Sequence, residues 1–196
     1  IKGSPYRGVK GLIRCSGAKN AVLPLMASTI LFNNTVTLTN VPIDTNDVQT
    51  MIVLLKSLGS KVQILKKKKI LKITNKKKHK LLVKYKYIST MRAGVLAMGA
   101  LLGRYNKCST ALSGGCSLGP RPIGYHLAGF RRLNCKHRLN KGYINILAKN
   151  GVKGGHYHFP KVSVTGTSNL ILASVLAKGV TTLKNISIEP EVLDLM

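Results

Sequence analysis

The side chains best equipped for chemistry lie in Ser113-Gly-Gly-Cys-Ser-Leu-Gly-Pro-Arg-Pro-Ile-Gly-Tyr-His126. Gly114, Gly115 and Gly119 let a backbone turn tightly and come close to a ligand, while Pro120 and Pro122 fix φ and stiffen the exit. Neither regular helix nor strand accommodates such a run, and ordering it costs entropy that a function would justify. Cys116 stands five residues before Arg121. A fixed positive charge near a thiol lowers its pKa and raises its thiolate fraction, which makes Cys116 a candidate nucleophile or proton donor. The residues alone leave a second reading open, in which Cys116 is a small buried residue in a glycine turn.

Few other groups compete for a chemical role. The five acidic residues, Asp44, Asp47, Glu189, Glu191 and Asp194, all fall at the expected starts of helices, where carboxylates cap N–H groups and complement the helix dipole. Little is left to serve as a carboxylate general base. Cys15, Cys108, Cys116 and Cys135 form no C-x-x-C pair and no zinc spacing, which fits reduced thiols in a cytoplasmic protein. His156 and His158 could share a metal from one strand, but no third ligand stands near them, so they read as surface residues. No metal or cofactor is expected.

The chain has 196 residues, 44% of them hydrophobic, which suits one domain with a substantial core. Against 5 Asp and Glu stand 32 Lys and Arg, for a net charge of +27. Such a charge attracts nucleic acid, anionic lipid or phosphorylated substrates. The lysine runs at 66–69 and 76–80 contain no aromatic residue and there is no Trp, so a base-stacking platform is lacking and nucleic acid is not the expected partner. The apolar runs 21–32 and 93–103 are too short to span a bilayer, and no membrane association is expected.

These groups are carried by a repeating order of elements. Asn20 to Leu31 reads as a buried helix entered by Ser16-Gly17, Thr35 to Thr39 as a strand, Thr45 to Leu58 as a helix closed by Gly59, and Lys61 to Leu65 with Ile70 to Thr74 as a hairpin. The same order returns with a helix from Met91-Arg92-Ala93 to about Leu102, a strand at Cys108 to Leu112, a helix from about Pro122 to Leu133, and a hairpin of Cys135 to Arg138 with Tyr143 to Leu147. A third copy begins with a helix at Gly166-Thr-Ser-Asn169 ending near Lys178-Gly179, a strand at Thr181 to Lys184, and a helix begun by Glu189-Pro-Glu191. Gly17-Ala-Lys-Asn20 matches Gly166-Thr-Ser-Asn169, and the segment 36–44 resembles 181–189. The expected organisation is a lead-in over 1–15 and one domain over 16–196, with repeats near 16–75, 90–148 and 163–196. Val192, Leu193 and Leu195 would be unsupported on a two-turn terminal helix, so the reading expects a polypeptide that continues beyond Met196.

Taken together, Ser16-Gly-Ala-Lys-Asn20, Asn40-Val-Pro42, Met91-Arg92-Ala93, Gly114-Gly-Cys116 with Gly119, Arg121-Pro122 and His126, and Glu189-Pro-Glu191 with Asp194 resemble the enolpyruvyl transferases. The Gly-Gly-Cys loop resembles the branch acting on UDP-N-acetylglucosamine rather than the branch acting on shikimate phosphate. The resemblance implies an α+β, or α/β, fold: repeated helix-strand-helix-strand-strand units forming an inside-out α/β barrel, here with a truncated third repeat and without the second domain. It also implies transfer of the enolpyruvyl group of phosphoenolpyruvate to the sugar 3-hydroxyl with loss of phosphate, a step in peptidoglycan synthesis. Lys19, Asn20, Arg92 and Arg121 match phosphoenolpyruvate-site positions, and Cys116 matches the thiol proposed to protonate C3. Asn20, Arg92, Arg121, Pro122, Ile123, Gly124 and Tyr125, with Lys161, Val162, Ser163 and Val164, match positions facing the nucleotide sugar.

Three departures stand out. Gly124 replaces a usual Asp, Ser113 a usual Pro, and Thr165-Gly166 a usual Gly-Ala. The catalytic aspartate and further arginines belong to the missing second domain, so this chain alone is expected to be inactive. The competing readings are a related phosphate-handling enolpyruvyl transferase and a degenerate basic module for RNA or anionic surfaces.

Overall fold

The computed structural model describes residues 11–75, 78–111 and 123–196. Its centre is made of helices that are apolar nearly all round, the pattern of helices with no solvent face. The first is α1 (Lys19–Ser28), continued by a 3-10 turn over Thr29–Leu31. Strand β1 (Thr35–Leu38), helix α2 (Asn46–Leu58) and strands β2 (Lys61–Leu65) and β3 (Ile70–Thr74) complete the first repeat. Gly59 closes α2 at φ 116°, donating its N–H to the Leu55 and Lys56 carbonyls. The sheet order is β1-β3-β2, all antiparallel. Leu71 and Ile73 turn into the core while Lys72 points out, the alternation of a sheet with one wet face. Lys66–Lys68 form an exposed 3-10 turn at the hairpin tip, with Lys69 left-handed at φ 52°.

The second repeat begins with strand β4 (Leu82–Val83), helix α3 (Tyr85–Thr90) and a 3-10 turn over Arg92–Val95, which lead into α4 (Leu96–Tyr105). Then follow β5 (Lys107–Ala111), α5 (Gly124–Arg132) and the hairpin β6 (Lys136–Asn140) and β7 (Tyr143–Leu147), in sheet order β4-β5-β7-β6. Strand β8 (His156–His158), α6 (Val164–Ser174), β9 (Thr182–Lys184) and α7 (Pro190–Leu195) make up the third. β4 runs parallel to β5 and β8 parallel to β9, so each pair brackets a buried helix in a β-α-β unit. Asn40 and Asn185, matched between repeats, are both left-handed at φ 52°.

Every residue of α4 from Leu96 to Gly103 is buried. Its packing on α6 is backbone against backbone: a Cβ on Gly99 would lie 2.2 Å from the Asn169 carbonyl oxygen, and one on Gly103 would lie 2.5 Å from that of Leu172. As the chain advances from 99 to 103 the partner advances from 169 to 172, so the two helices are parallel. Arg104 Nη1 donates to the Phe32 carbonyl at 2.8 Å, and Gly103 lies against Leu31. The end of α1 therefore sits beside the end of α4, and α1, α4 and α6 begin at the same end of the domain.

Several local expectations are corrected. Ser16-Gly17 does not cap α1; the N-cap is Ala18, without a side-chain bond. Gly17 instead sits where a Cβ would meet the Asn40 carbonyl oxygen at 1.8 Å, a close approach between the chain's Gly17 and its Asn40-Val-Pro42 turn. The third-repeat helix starts at Val164, earlier than Gly166, because the Ser163 hydroxyl accepts the Gly166 N–H at 3.2 Å. It ends at Ser174, short of Lys178. The carboxylates make no side-chain caps on α2 or α7: Asp44 pairs with Lys66 and Asp47 with Lys19, each at 2.7 Å. Asp47 and Glu191 do occupy first turns, as the dipole favours. Val192 is fully buried and Leu195 packs on the core, so most of the apolar face of α7 is supported against α1 and α6.

Candidate functional site

The sequence-predicted residues gather at helix starts. Lys19 is the first residue of α1 and Asn20 the second, both solvent-exposed. Pro24, within α1, has no N–H, so the Asn20 carbonyl is left without its intrahelical partner at this end. Lys19 Nζ bonds Asp47 Oδ2 at 2.7 Å, joining the start of α1 to the first turn of α2. Both side chains remain partly exposed, at 46% and 32%, and an exposed pair of this kind is worth about 0–1 kcal/mol. An incoming anion can therefore take over the ammonium at small expense. Arg92 opens the 3-10 turn that leads into α4. Ser163 caps α6, Val164 is its first residue, and Lys161 and Val162 precede it exposed. Ile123 is the N-cap of α5, Gly124 its first residue, and Tyr125 lies half-buried against the core. A Cβ at Gly124 would meet nothing within 4 Å, so the backbone leaves room for the Asp usual in the resembled family.

Because α1, α4 and α6 are parallel, Lys19-Asn20, the Arg92 turn and Ser163-Val164 share one end of the domain. Free N–H groups and the positive ends of three dipoles point to that end, which favours phosphate and carboxylate there. Cys116, Arg121 and Pro122 lie outside the described residues. Of the other thiols, burial pushes Cys135 up to about 11 and drives Cys108 higher still, so neither is nucleophilic at neutral pH. Cys15 is exposed. Among the described residues no group of three His, Cys, Asp or Glu could hold a metal, and no helix is long and apolar enough to cross a membrane.

Asn169, recognised in the sequence only as the repeat partner of Asn20, holds this end together. Its Oδ1 accepts the Gly99 N–H at 2.6 Å and its Nδ2 donates to the Val95 carbonyl at 3.0 Å. Those two groups would bond each other in an unbroken helix. The carboxamide is inserted between them, at the point where the 3-10 turn carrying Arg92 becomes α4. The same Nδ2 lies 2.8 Å from His126 Nδ1, which must accept, so the proton of this imidazole resides on Nε2. One amide thus ties the Arg92 turn and α5 to α6.

A second polar cluster lies at the far end of these helices. His79 is 4% exposed; its Nε2 bonds Asn75 Oδ1 and Ser60 Oγ, each at 3.1 Å, and its Nδ1 bonds Tyr105 Oη at 2.8 Å. Asn75 Nδ2 donates to the Thr29 carbonyl, which fixes the amide and puts the ring proton on Nε2. Burial, and then the nearby Arg104 charge, lower the His79 pKa from 6.5 to about 4. The unfolded chain binds a proton near pH 6.5 and the folded one only near pH 4. Stability from this group is therefore full above pH 6.5 and is lost as pH falls towards 4. In thermal melts, the native chain is expected to lose more Tm between pH 7 and pH 4.5 than His79→Gln does; parallel losses would refute the assignment.

The whole described chain, from the glycine-rich start to α7, agrees with a protein-family model. That model, EPSP synthase (3-phosphoshikimate 1-carboxyvinyltransferase), matches residues 4–196. The chain belongs to the EPSP synthase family. Its relatives within this family include the UDP-N-acetylglucosamine 1-carboxyvinyltransferase of Pelagibacter ubique, 47% identical over 96% of the chain and 44% of the relative. The proteins of the same name from Nitratiruptor and Sulfurimonas denitrificans are 41% and 40% identical over 95% and 100% of the chain. The chain spans about 44% of the length of these relatives. Among solved structures, the enolpyruvyl transferase NikO from Streptomyces tendae superposes with TM-score 0.79 over 95% of the chain and 43% of that structure, at 15% identity. EPSP synthase from Acinetobacter baumannii superposes with TM-score 0.65 over 93% of the chain and 42% of that structure, at 18% identity. At those identities the likeness establishes the fold, which is the enolpyruvyl-transferase fold that the family resemblance implied.

Proposed function

We propose that this chain is one part of a UDP-N-acetylglucosamine 1-carboxyvinyltransferase, which moves the enolpyruvyl group of phosphoenolpyruvate to the 3-hydroxyl of UDP-N-acetylglucosamine and releases phosphate. The observation that carries this reading is the 40–47% identity to curated relatives of that name across nearly the whole chain. The reaction opens peptidoglycan precursor synthesis, a cytoplasmic pathway. Lys19, Asn20, Arg92 and Arg121 hold the phosphate and carboxylate of phosphoenolpyruvate, whose two negative groups suit ammonium, guanidinium and N–H donors. Cys116, on the glycine loop, delivers the proton to C3 as the sugar oxygen bonds C2. Departure of phosphate from C2, together with loss of a proton from C3 to a base, then regenerates the carbon double bond. Arg121 to Tyr125 and Lys161 to Val164 take the uridine and its diphosphate.

A second domain contributes the carboxylate that accepts the sugar hydroxyl proton. None of the five acidic residues here is placed for that work: Asp44 and Asp47 are paired with lysines, and the other three belong to α7 or its N-cap. The isolated chain is therefore expected to show no phosphate release with both substrates, while the full-length protein turns over. Full-length protein that consumes phosphoenolpyruvate with shikimate 3-phosphate but not with UDP-N-acetylglucosamine would replace this assignment with the shikimate branch.

A further inference from the structure

We infer that the exposed lysines at the tip of the β2-β3 hairpin, Lys67, Lys68 and Lys69, draw anionic substrate toward the end of the domain that carries Lys19. This rests on the proposed enolpyruvyl transfer, none of whose matched residues lies in this lysine run. The tip is fastened to that end by short bridges. The Lys69 carbonyl accepts the Val41 N–H at 2.9 Å, and Lys66 Nζ holds Asp44 Oδ1 at 2.7 Å. The neighbouring Asn40 carbonyl lies against Gly17, two residues before Lys19, and Asp47, three residues after Asp44, pairs with Lys19 itself. Folding therefore sets the lysine run beside the starts of α1 and α2.

Among the described residues the two ion pairs use Lys19 and Lys66, while Lys67, Lys68 and Lys69 are exposed and join neither. Nothing local calls for lysine there. Three adjacent like charges repel, and Lys69 sits at φ 52°, which Asn or Gly takes more readily. What the three do supply is a positive field over the end proposed to hold the anion, and such a field raises both the local concentration of an anion and its rate of encounter. The second lysine run stands elsewhere. Lys80 donates its N–H to the Leu58 carbonyl at 2.7 Å, and the Lys78 carbonyl lies against Gly59, so this run sits beyond the last turn of α2. With 13 residues, α2 spans about 20 Å, roughly two Debye lengths at 0.1 M salt. Lys149 shares that far end, since the Ala148 N–H beside it bonds the Asn106 carbonyl just past α4. An anion approaching Lys19 meets the first run at close range and the second only through screening salt.

Steady-state kinetics of the full-length protein tests this, with phosphoenolpyruvate varied and the acceptor held saturating. At an ionic strength of about 0.05 M, the combined change Lys67→Gln, Lys68→Gln and Lys69→Asn is expected to lower kcat/KM about fivefold with kcat unchanged. At about 0.5 M the loss should shrink below roughly 2-fold. Asn is chosen at position 69 because it accepts the left-handed backbone. Removing three exposed charges at the far end, by Lys78→Gln, Lys80→Gln and Lys149→Gln, should change kcat/KM by less than about 2-fold at either salt. Lys67→Arg with Lys68→Arg keeps the charge and should match the wild type. Equal losses from the two triple variants would overturn the inference in favour of attraction to the net charge as a whole. So would no loss at low salt, a loss that persists at high salt, or one confined to kcat. An enzyme that takes shikimate 3-phosphate in place of UDP-N-acetylglucosamine would replace the functional reading, while the same salt comparison would still decide what these lysines do.

Discussion

Gly99→Ala is expected to lower the stability of the domain by about 3 kcal/mol or more, at the upper end of overpacking effects. The new methyl would fall 2.2 Å from the Asn169 carbonyl oxygen and 2.3 Å from its Oδ1. A flexible side chain could retreat from such a clash, but these atoms cannot: one is helix backbone, and the other is fixed by the Gly99 N–H it accepts. The helices must separate, and separation also breaks the bonds to Val95 and His126. In a chain of this size the change corresponds to a Tm drop of roughly 6–12 °C. Gly124→Ala provides the control, since nothing lies within 4 Å of the added methyl and a helix gains from losing glycine. A Gly99→Ala protein that melts with the wild type would show that α4 and α6 are not in backbone contact.

Lys19→Gln in the full-length protein is expected to lower kcat/KM for phosphoenolpyruvate by about 10²–10³, the range seen when one electrostatic donor is removed from a developing charge. Asp47→Asn is expected to behave oppositely. It frees the ammonium from a carboxylate 2.7 Å away and removes a negative charge from the end proposed to hold the anion, so KM should stay level or fall. Lys19→Arg, which keeps the charge, should recover part of the loss. Steady-state kinetics on the three variants decides the matter. If Lys19→Gln and Asp47→Asn impair the enzyme equally, with matching losses of Tm, the pair is structural and Lys19 is no ligand.

The repeat architecture was legible because its signals are local. Apolar runs at 21–32 and 93–103 read as buried helices, and the β-branched alternation of Thr35–Thr39 reads as a strand. What went unread was short or non-local. β4 and β8 span two and three residues, too few for a period of two to register, and their parallel partners lie across a whole helix. The Ser16-Gly17 cap failed because Gly17 answers to Asn40, a neighbour that only the folded chain supplies. Asn169 looked like a repeat of Asn20, yet one is buried with its carboxamide bonded to Gly99, Val95 and His126, and the other lies open at the surface.

The sequence by itself determined the family resemblance and the order of the longer elements, because motif identity and hydrophobic period are properties of the chain alone. Tertiary structure decided that three helices run parallel, and hence that Lys19, the Arg92 turn and Ser163 face the same end. It also decided that Asp47 pairs with Lys19 across the starts of α1 and α2. Each of these depends on groups far apart in sequence, whose approach is set by how closely backbones can pack where glycine leaves space.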